Sequence, residues 1–400
     1  MRRPRVLMAT MLASVAIFAT VASSSTTGGV SDSHARPRAR SEPFFDFIRD
    51  IAFDPHDSKT IWAVLDADSA LYRTDDGAHS WRRVSVLPPR QLIGVIGLDH
   101  SGHHLWVGAK YDPLLWHSAD GGATWRRVAG WPTRIVPIGT RRLRPAVVSA
   151  LAVDPRNPHR VYAVAQNVVL RTDDSGRSWR RVSRGLPKGE PTYAWFGGDL
   201  VLDPLHPNVL YFVTHSRGVY RSRNAGGQWV RTSHRCSRDC IAKAYGHGYT
   251  MLAIDPTRPR RLYAGLAFDV YRALDGGDRW RRVLRIDRGF GGDLVVASDG
   301  TVYANGSRKG VVYVARSRDG GRSWTLTLGF NTRPPGTAYL GPGPIAVNPT
   351  NPAVALAAVG AGNDGGAPVC VRLLKTTNRG ATWEPADDGL VAAARRCAVR

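Results

Sequence analysis

Apolar residues in this chain fall in short runs broken by polar turns, and no stretch shows helical periodicity. The clearest region reads Val148 to Val153, a turn Asp154-Pro155-Arg156-Asn157-Pro158, then Val161 to Val164, Val168 to Thr172 and Trp179 to Val182. Run length and turn chemistry predict four strands in one sheet. The same frame, an apolar run closed by Asp-Pro or Asn-Pro, returns at Ile51 to Pro55, Leu200 to Pro204, Leu252 to Pro256 and Ile345 to Pro349.

A second phrase marks the other end of each unit. A small hydroxyl residue, a gap, Asp or Asn and a glycine or its remnant lead to a tryptophan five residues after the acid or amide. The phrases end at Trp81, Trp125, Trp179, Trp229, Trp280, Trp324 and Trp383, at steps of 44, 54, 50, 51, 44 and 59 residues. Steps of that size belong to repeat architectures with variable loops. A short Asx side chain bonds amides two or three residues on, glycine takes positive φ, and Trp lays a large ring over the strands it joins. Each phrase therefore reads as a self-locking turn. Seven four-stranded units without helices bury their faces by radial packing, which predicts an all-β fold, a seven-bladed β-propeller with four-stranded antiparallel blades.

The phrase Ser-x-Asp-Gly-Gly-x-Thr-Trp, intact from Ser118 to Trp125, resembles the Asp-box or BNR repeat, and the Asp-Pro-x-Asn-Pro turn before a Val-Tyr-Ala strand is similar to the same superfamily. That group includes sialidases, xyloglucan-cleaving glycoside hydrolases, sortilin-type receptor ectodomains and photosystem II assembly factors. The resemblance runs from about Phe44 to Trp383 and speaks to fold more than activity, because members share the turn and differ in chemistry. It implies that the box lies between third and fourth strands, on the face opposite the ligand cleft. Asp76, Asp120, Asp174, Asn224, Asp275, Asp319 and Asn378 are then structural, and function belongs to the segments leading into the first strands.

Two such segments are alike. Phe196-Gly197-Gly198-Asp199-Leu200 and Phe290-Gly291-Gly292-Asp293-Leu294 each place an acid at the start of an innermost strand, behind glycines that leave room at the channel mouth. Tyr193 and Trp195 flank the first, and His247 with Tyr249 occupies the corresponding position between them. Aromatic faces beside carboxylates suit a sugar ring, and Asp199 with Asp293 could serve as general acid and base. The bland alternative is that each Asp caps its strand or pairs with an arginine.

The sialidase mechanism fits poorly. Its Tyr–Glu couple has only Glu190 with Tyr193 as a candidate, and its Arg-Ile-Pro signature appears only as the interrupted Arg134-Ile135-Val136-Pro137. The xyloglucan-cleaving relatives set a cleft between two propellers, each giving a catalytic Asp, whereas this chain predicts one propeller. No phosphate-cradling loop, nucleophile elbow or His-Glu-x-x-His zinc signature is present, and nothing calls for a cofactor or a metal.

Address and charge refine the picture. Met1-Arg2-Arg3-Pro4-Arg5 followed by the apolar run to Ala22 reads as a secretory signal peptide over residues 1–22, a leader that leaves no stable membrane span once cleaved. A Ser/Thr/Gly/Arg/Pro-rich spacer over 23–43 reads as disordered, and the propeller occupies 44–400. Four cysteines in an exported chain suit two disulfides; Cys236 with Cys240 and Cys370 with Cys397 are the simplest pairing, with the other connectivities open. The formal charge of +23 favours anionic partners. Trp-Arg-Arg follows four of the turns, though, where Arg on an exposed edge strand also blocks aggregation. Nucleic acid is the less favoured anion, since only charge points to it and export argues against it. The sequence thus predicts a secreted propeller that binds an extracellular glycan or protein through its channel face. A glycoside hydrolase using Asp199 and Asp293 is the alternative, and a basic assembly scaffold stands behind both.

Overall fold

The computed structural model describes residues 48–65, 70–84, 93–109, 112–136, 144–166, 168–187, 199–214, 217–232, 251–266, 269–285, 290–308, 311–331, 339–362 and 370–390. The expected leader and spacer lie outside the described residues, as do Glu190, Cys236, Cys240 and Cys397. Cys370 opens the third strand of the last blade.

Strands form in seven four-stranded antiparallel sheets, each built from four consecutive strands in the order first, second, third, fourth. The first strands are Ile48–Phe53, Ile93–Leu98, Val148–Asp154, Leu200–Leu202, Met251–Ile254, Phe290–Val296 and Tyr339–Val347, and these name blades 1 to 7. First strands of neighbouring blades touch around the whole circle, and the first strand of blade 7 meets that of blade 1. The fold is a seven-bladed β-propeller. A small two-stranded ribbon, Arg134–Ile135 with Arg144–Pro145, lies in the connection between blades 2 and 3; it contains Arg134 and Ile135 of the interrupted Arg-Ile-Pro sequence, whose Pro137 lies outside the described residues. Among the described residues no helix is long and apolar enough to cross a membrane.

The core lies between blades. Trp62, Val64 and Leu71 of blade 1 pack with Ile93, Leu105 and Val107 of blade 2, and the pattern repeats around the ring. Blade 7 meets blade 1 in the same way, through Leu356, Val371 and Leu373 against Ile48, Ile61 and Ala63, so that among the described residues side-chain packing closes the ring and each sheet keeps its own four consecutive strands. An apolar face that one blade cannot cover alone is buried by its neighbour.

The boxes serve these junctions as well as their own turns. In blade 2, the Thr124 amide and hydroxyl donate to the two oxygens of Asp120, and the Ser118 hydroxyl accepts from the Gly122 amide at 2.9 Å. Gly122 sits at φ 85°, and a Cβ there would stand 2.3 Å from Cη2 of Trp62 in blade 1. The second glycine is therefore required by conformation and by the neighbouring ring together. The tryptophans reach backward too: Trp81 Nε1 donates to Ala386 O of blade 7 at 2.9 Å, and Trp229 Nε1 to Val182 O of blade 3 at 2.7 Å. Their rings span a blade junction and do more than cover the strands they join.

A further contact repeats. In six of the seven blades the residue before the box is a cation on the third strand that donates to a carbonyl in the next blade's box turn: Arg73 to Gly121 (3.0 Å), Arg171 to Ala225 (3.2 Å), Arg221 to Gly276 (2.7 Å), Arg272 to Gly320, Arg316 to Arg379 (2.6 Å) and Lys375 to Gly77 (2.6 Å). Arg73 also lies over the Trp62 ring, 5.1 Å from its centroid, and Arg171 over Tyr162 at 5.8 Å. Such a stacked guanidinium gains from both the ring and the carbonyl.

Candidate functional site

The antiparallel register places the start of each first strand at the end of the blade opposite the box. In blade 1, Asp50 is level with Val64 and Leu71, while Phe53 is level with Ile61 and thus with Thr74 of the box. At the former end three acids hold equivalent positions. Asp199 and Asp293 are there as expected, and Asp50 of blade 1 is the third. Its signal was in the chain: Asp50 precedes Ile51-Ala52-Phe53-Asp54-Pro55 as Asp199 precedes Leu200-Val201-Leu202-Asp203-Pro204. Without flanking glycines it lacked the motif by which the other two were found.

All three side chains do the same thing. One Asp50 oxygen accepts the amide of Ile51 and the other that of Ile96 in blade 2, both at 2.9 Å. Asp199 accepts Leu200 N at 2.8 Å and Leu252 N of blade 5 at 3.0 Å. Asp293 accepts Leu294 N at 2.7 Å and Ile345 N of blade 7 at 2.8 Å. The pairing register slips beside Asp50 and across Asp293, a local bulge that turns the side chain across to the next first strand. Each acid therefore staples two adjacent blades. Asn305, buried on the second strand of blade 6, adds to this junction by accepting Asp293 N and donating to Gly343 O at 2.7 Å.

The electrostatics are those of crowded, sequestered carboxyls. Burial, followed by the charges of Asp293 and Asp199 against the amide bonds, pushes Asp50 up to about 7. Burial and then the Asp293 charge push Asp199 up to about 6, and burial raises Asp293. Two N–H bonds favour the ionised form, so the upward direction means that desolvation and like charge prevail. Among the described residues, no group of His, Cys, Asp and Glu has the arrangement to hold a metal ion.

Below the acids the channel is apolar. A cavity of about 430 Å³ opens toward the box side, lined mainly by Ile51, Phe53, Leu98, Val153, Ile345 and Val347 with the prolines of the turns, and also by Asp99 and His100. The aromatic candidates Tyr193, Trp195, His247 and Tyr249 lie outside the described residues.

No protein-family model matches the chain. Among curated proteins it is similar to a probable oligoxyloglucan-reducing end-specific xyloglucanase of Neosartorya fischeri, 25% identical over 232 residues that cover 55% of this chain and 27% of the relative. A xyloglucanase of a Paenibacillus species is 27% identical over 252 residues, 53% of this chain and 24% of the relative. The matches thus span about a quarter of these relatives' length. Among solved structures, YCF48 bound to D1 peptide superposes with a TM-score of 0.56 at 17% identity, over 84% of this chain and 95% of that one. An ancestral GH74 enzyme gives 0.54 at 13% identity, over 86% of this chain and 55% of that one. Its neighbours are β-propellers. The likeness agrees with a propeller superfamily that has xyloglucanase-like and YCF48-like members, and at these identities it concerns the fold.

Proposed function

We propose that this chain is a secreted binding propeller that engages an extracellular glycan or protein on the channel face where the first strands begin. The observation that carries this reading is the use of the three acids: both oxygens of Asp50, Asp199 and Asp293 accept backbone amides from two blades. Carboxylates held in this way maintain the ring. Recognition then falls to the connections leading into the first strands, whose sequence holds Tyr193, Trp195, His247 and Tyr249, residue types that sugar rings and peptide side chains stack upon. The overlap of 84% of the chain with the structure of YCF48 bound to a peptide supports it further.

The second reading is a glycoside hydrolase with Asp199 and Asp293 as its acid pair. It draws on the local similarity to xyloglucanases and on the raised Asp199 carboxyl, the tuning a general acid needs near neutral pH. A polysaccharide array scored for retention and for release of reducing ends separates the two, with Asp199→Asn and Asp293→Asn alongside the unaltered protein. Retention without release is the expected outcome. Release of reducing ends that either substitution abolishes, in a protein that still melts cooperatively, would transfer the assignment to the hydrolase.

A further inference from the structure

Six of the seven blade junctions are clasped by a permanently charged Arg or Lys, and one is not. At the equivalent position in blade 2 stands His117, immediately before the Ser118 of its box. It is buried and stacked on Trp106 with ring centroids 4.1 Å apart, as Arg73 lies over Trp62. Instead of reaching the box of blade 3, its imidazole turns to its own blade. Nε2 lies 3.0 Å from Nδ1 of His104, and Nδ1 lies 3.4 Å from an Arg126 nitrogen. Because Arg126 can only donate, His117 Nδ1 is the acceptor, so Nε2 carries the proton and gives it to His104 Nδ1. His104 in turn presents its ring to His159 of blade 3, centroids 6.0 Å apart, and His159 Nδ1 lies 2.7 Å from the Ser175 hydroxyl in that blade's box. The link between blades 2 and 3 thus runs through three imidazoles.

We propose that the seam between blades 2 and 3 is an acid-labile joint, which a second proton on the His104–His117 pair opens while the six Arg and Lys clasps stay shut. The hydrogen bond requires a bare Nδ1 on His104, and protonation there sets two donors against each other. The surroundings oppose the added charge on most sides. Arg126 faces the pair from the fourth strand, His103 from the turn and His159 from blade 3; among the described residues Asp99 is the acid that acts on it. Asp99 is committed already, accepting the His104 amide at 3.0 Å and the Ser101 hydroxyl at 2.6 Å. Burial first, and then the positive charges of His104 and Arg126, hold His117 down at about 4 against an ordinary value of 6.5. The sign follows. Between about 6.5 and 4 the opened seam binds a proton that the closed one refuses, so the closed form loses ground as pH falls through that window and holds fully above it.

Hydrogen exchange of the full chain at pH 7.5 and 5.0, with rates corrected for intrinsic chemistry, tests this directly. Peptides covering Leu105–Ala109, Leu115–Ser118 and the second strand of blade 3 should lose protection by up to about tenfold per pH unit below about 6.5, relative to the other junctions. His117→Arg gives blade 2 the cation of the other six and should remove the loss. A uniform change at all seven seams, or acid loss that persists in His117→Arg, overturns the proposal. Should that variant fail to melt cooperatively, His117→Gln, which is neutral at every pH, provides the second test. It should likewise remove the loss, and acid loss at this seam that persists in it would equally sink the idea.

Discussion

At the box end of the blades, Asp120, Asp174 and Asp319 accept hydrogen bonds from within their own turns; at the channel end, Asp50, Asp199 and Asp293 accept amides from two blades. The residue type is the same and the electrostatics are opposite. The hydroxyl and amide of Thr124, and of Ser178 in the equivalent turn, draw Asp120 and Asp174 down to about 2, while burial and mutual repulsion lift Asp50 to about 7 and Asp199 to about 6. A turn needs only local donors, so it can be copied in every blade without electrostatic consequence. A staple beside the channel axis meets its own copies. With three present, Asp50 already feels the charges of Asp293 and Asp199, and Asp199 that of Asp293; Val95, Ala150, Met251 and Pro344 at the remaining four positions keep the repulsion from growing.

The sharpest way to break this contrast is to remove one acid from each end. Asp293→Ala strands the amides of Leu294 and Ile345 beside the channel, and at about 1 to 3 kcal/mol for each buried unpaired group the expected loss is about 2 to 6 kcal/mol. Asp319→Ala frees amides that water reaches, and its loss should resemble that of a helix-capping acid, about 1 kcal/mol. Urea unfolding of both variants at one pH decides the order. A box substitution as harmful as the channel one would mean that the turns, and not the staples, hold the ring.

A smaller effect of definite sign comes from titration. For Asp199 the unfolded value is 3.8 and the folded value about 6, so between those limits the folded state holds the extra proton and stability declines as pH rises. The box acids run the other way: with folded values below 3.8, their contribution is complete above about 4 and fades only as pH drops further. Asp199→Asn, which cannot ionise, should therefore gain on the unaltered protein between pH 4 and 6.5, by at most about 3 kcal/mol. Comparison with the parent at each pH cancels the opposite trend of the histidine seam. A difference that stays flat, or falls, would show that the carboxyl is ionised in the fold throughout.

How far the sequence revealed this follows from the same division. Blade number and strand order were legible because the box and the Asp-Pro turn are local signals, complete within a few residues. The staples were half legible: glycines drew attention to Asp199 and Asp293, while Asp50 needed the first-strand frames to be laid over one another. The clasps escaped notice although Arg73, Arg171, Arg221, Arg316 and Lys375 all directly precede a box Ser or Thr. Their partners are carbonyls in the next blade, 48 to 63 residues downstream except at the ring closure, and no spacing rule within one blade points there. The backward reach of the tryptophans was hidden for the same reason.

The smallest expected change concerns the arginines that follow the boxes. Arg180 on the fourth strand of blade 3 is 62% exposed and pairs with Asp173 at 3.2 Å, while Asp173 already holds Arg160 and Arg171. An exposed pair whose acid keeps two other cations contributes little, so Arg180→Ala should shift stability by less than about 0.5 kcal/mol. The fourth strand is the outermost of its sheet, however, and charge on an edge strand is what prevents another chain from adding on. Arg180→Ala combined with Arg181→Ala should therefore leave the urea midpoint almost unchanged and raise the rate of aggregation, read by light scattering at low salt. If instead the pair lowers the midpoint and scattering stays flat, these arginines belong with the clasps as part of the ring's packing, and edge protection fails as their explanation.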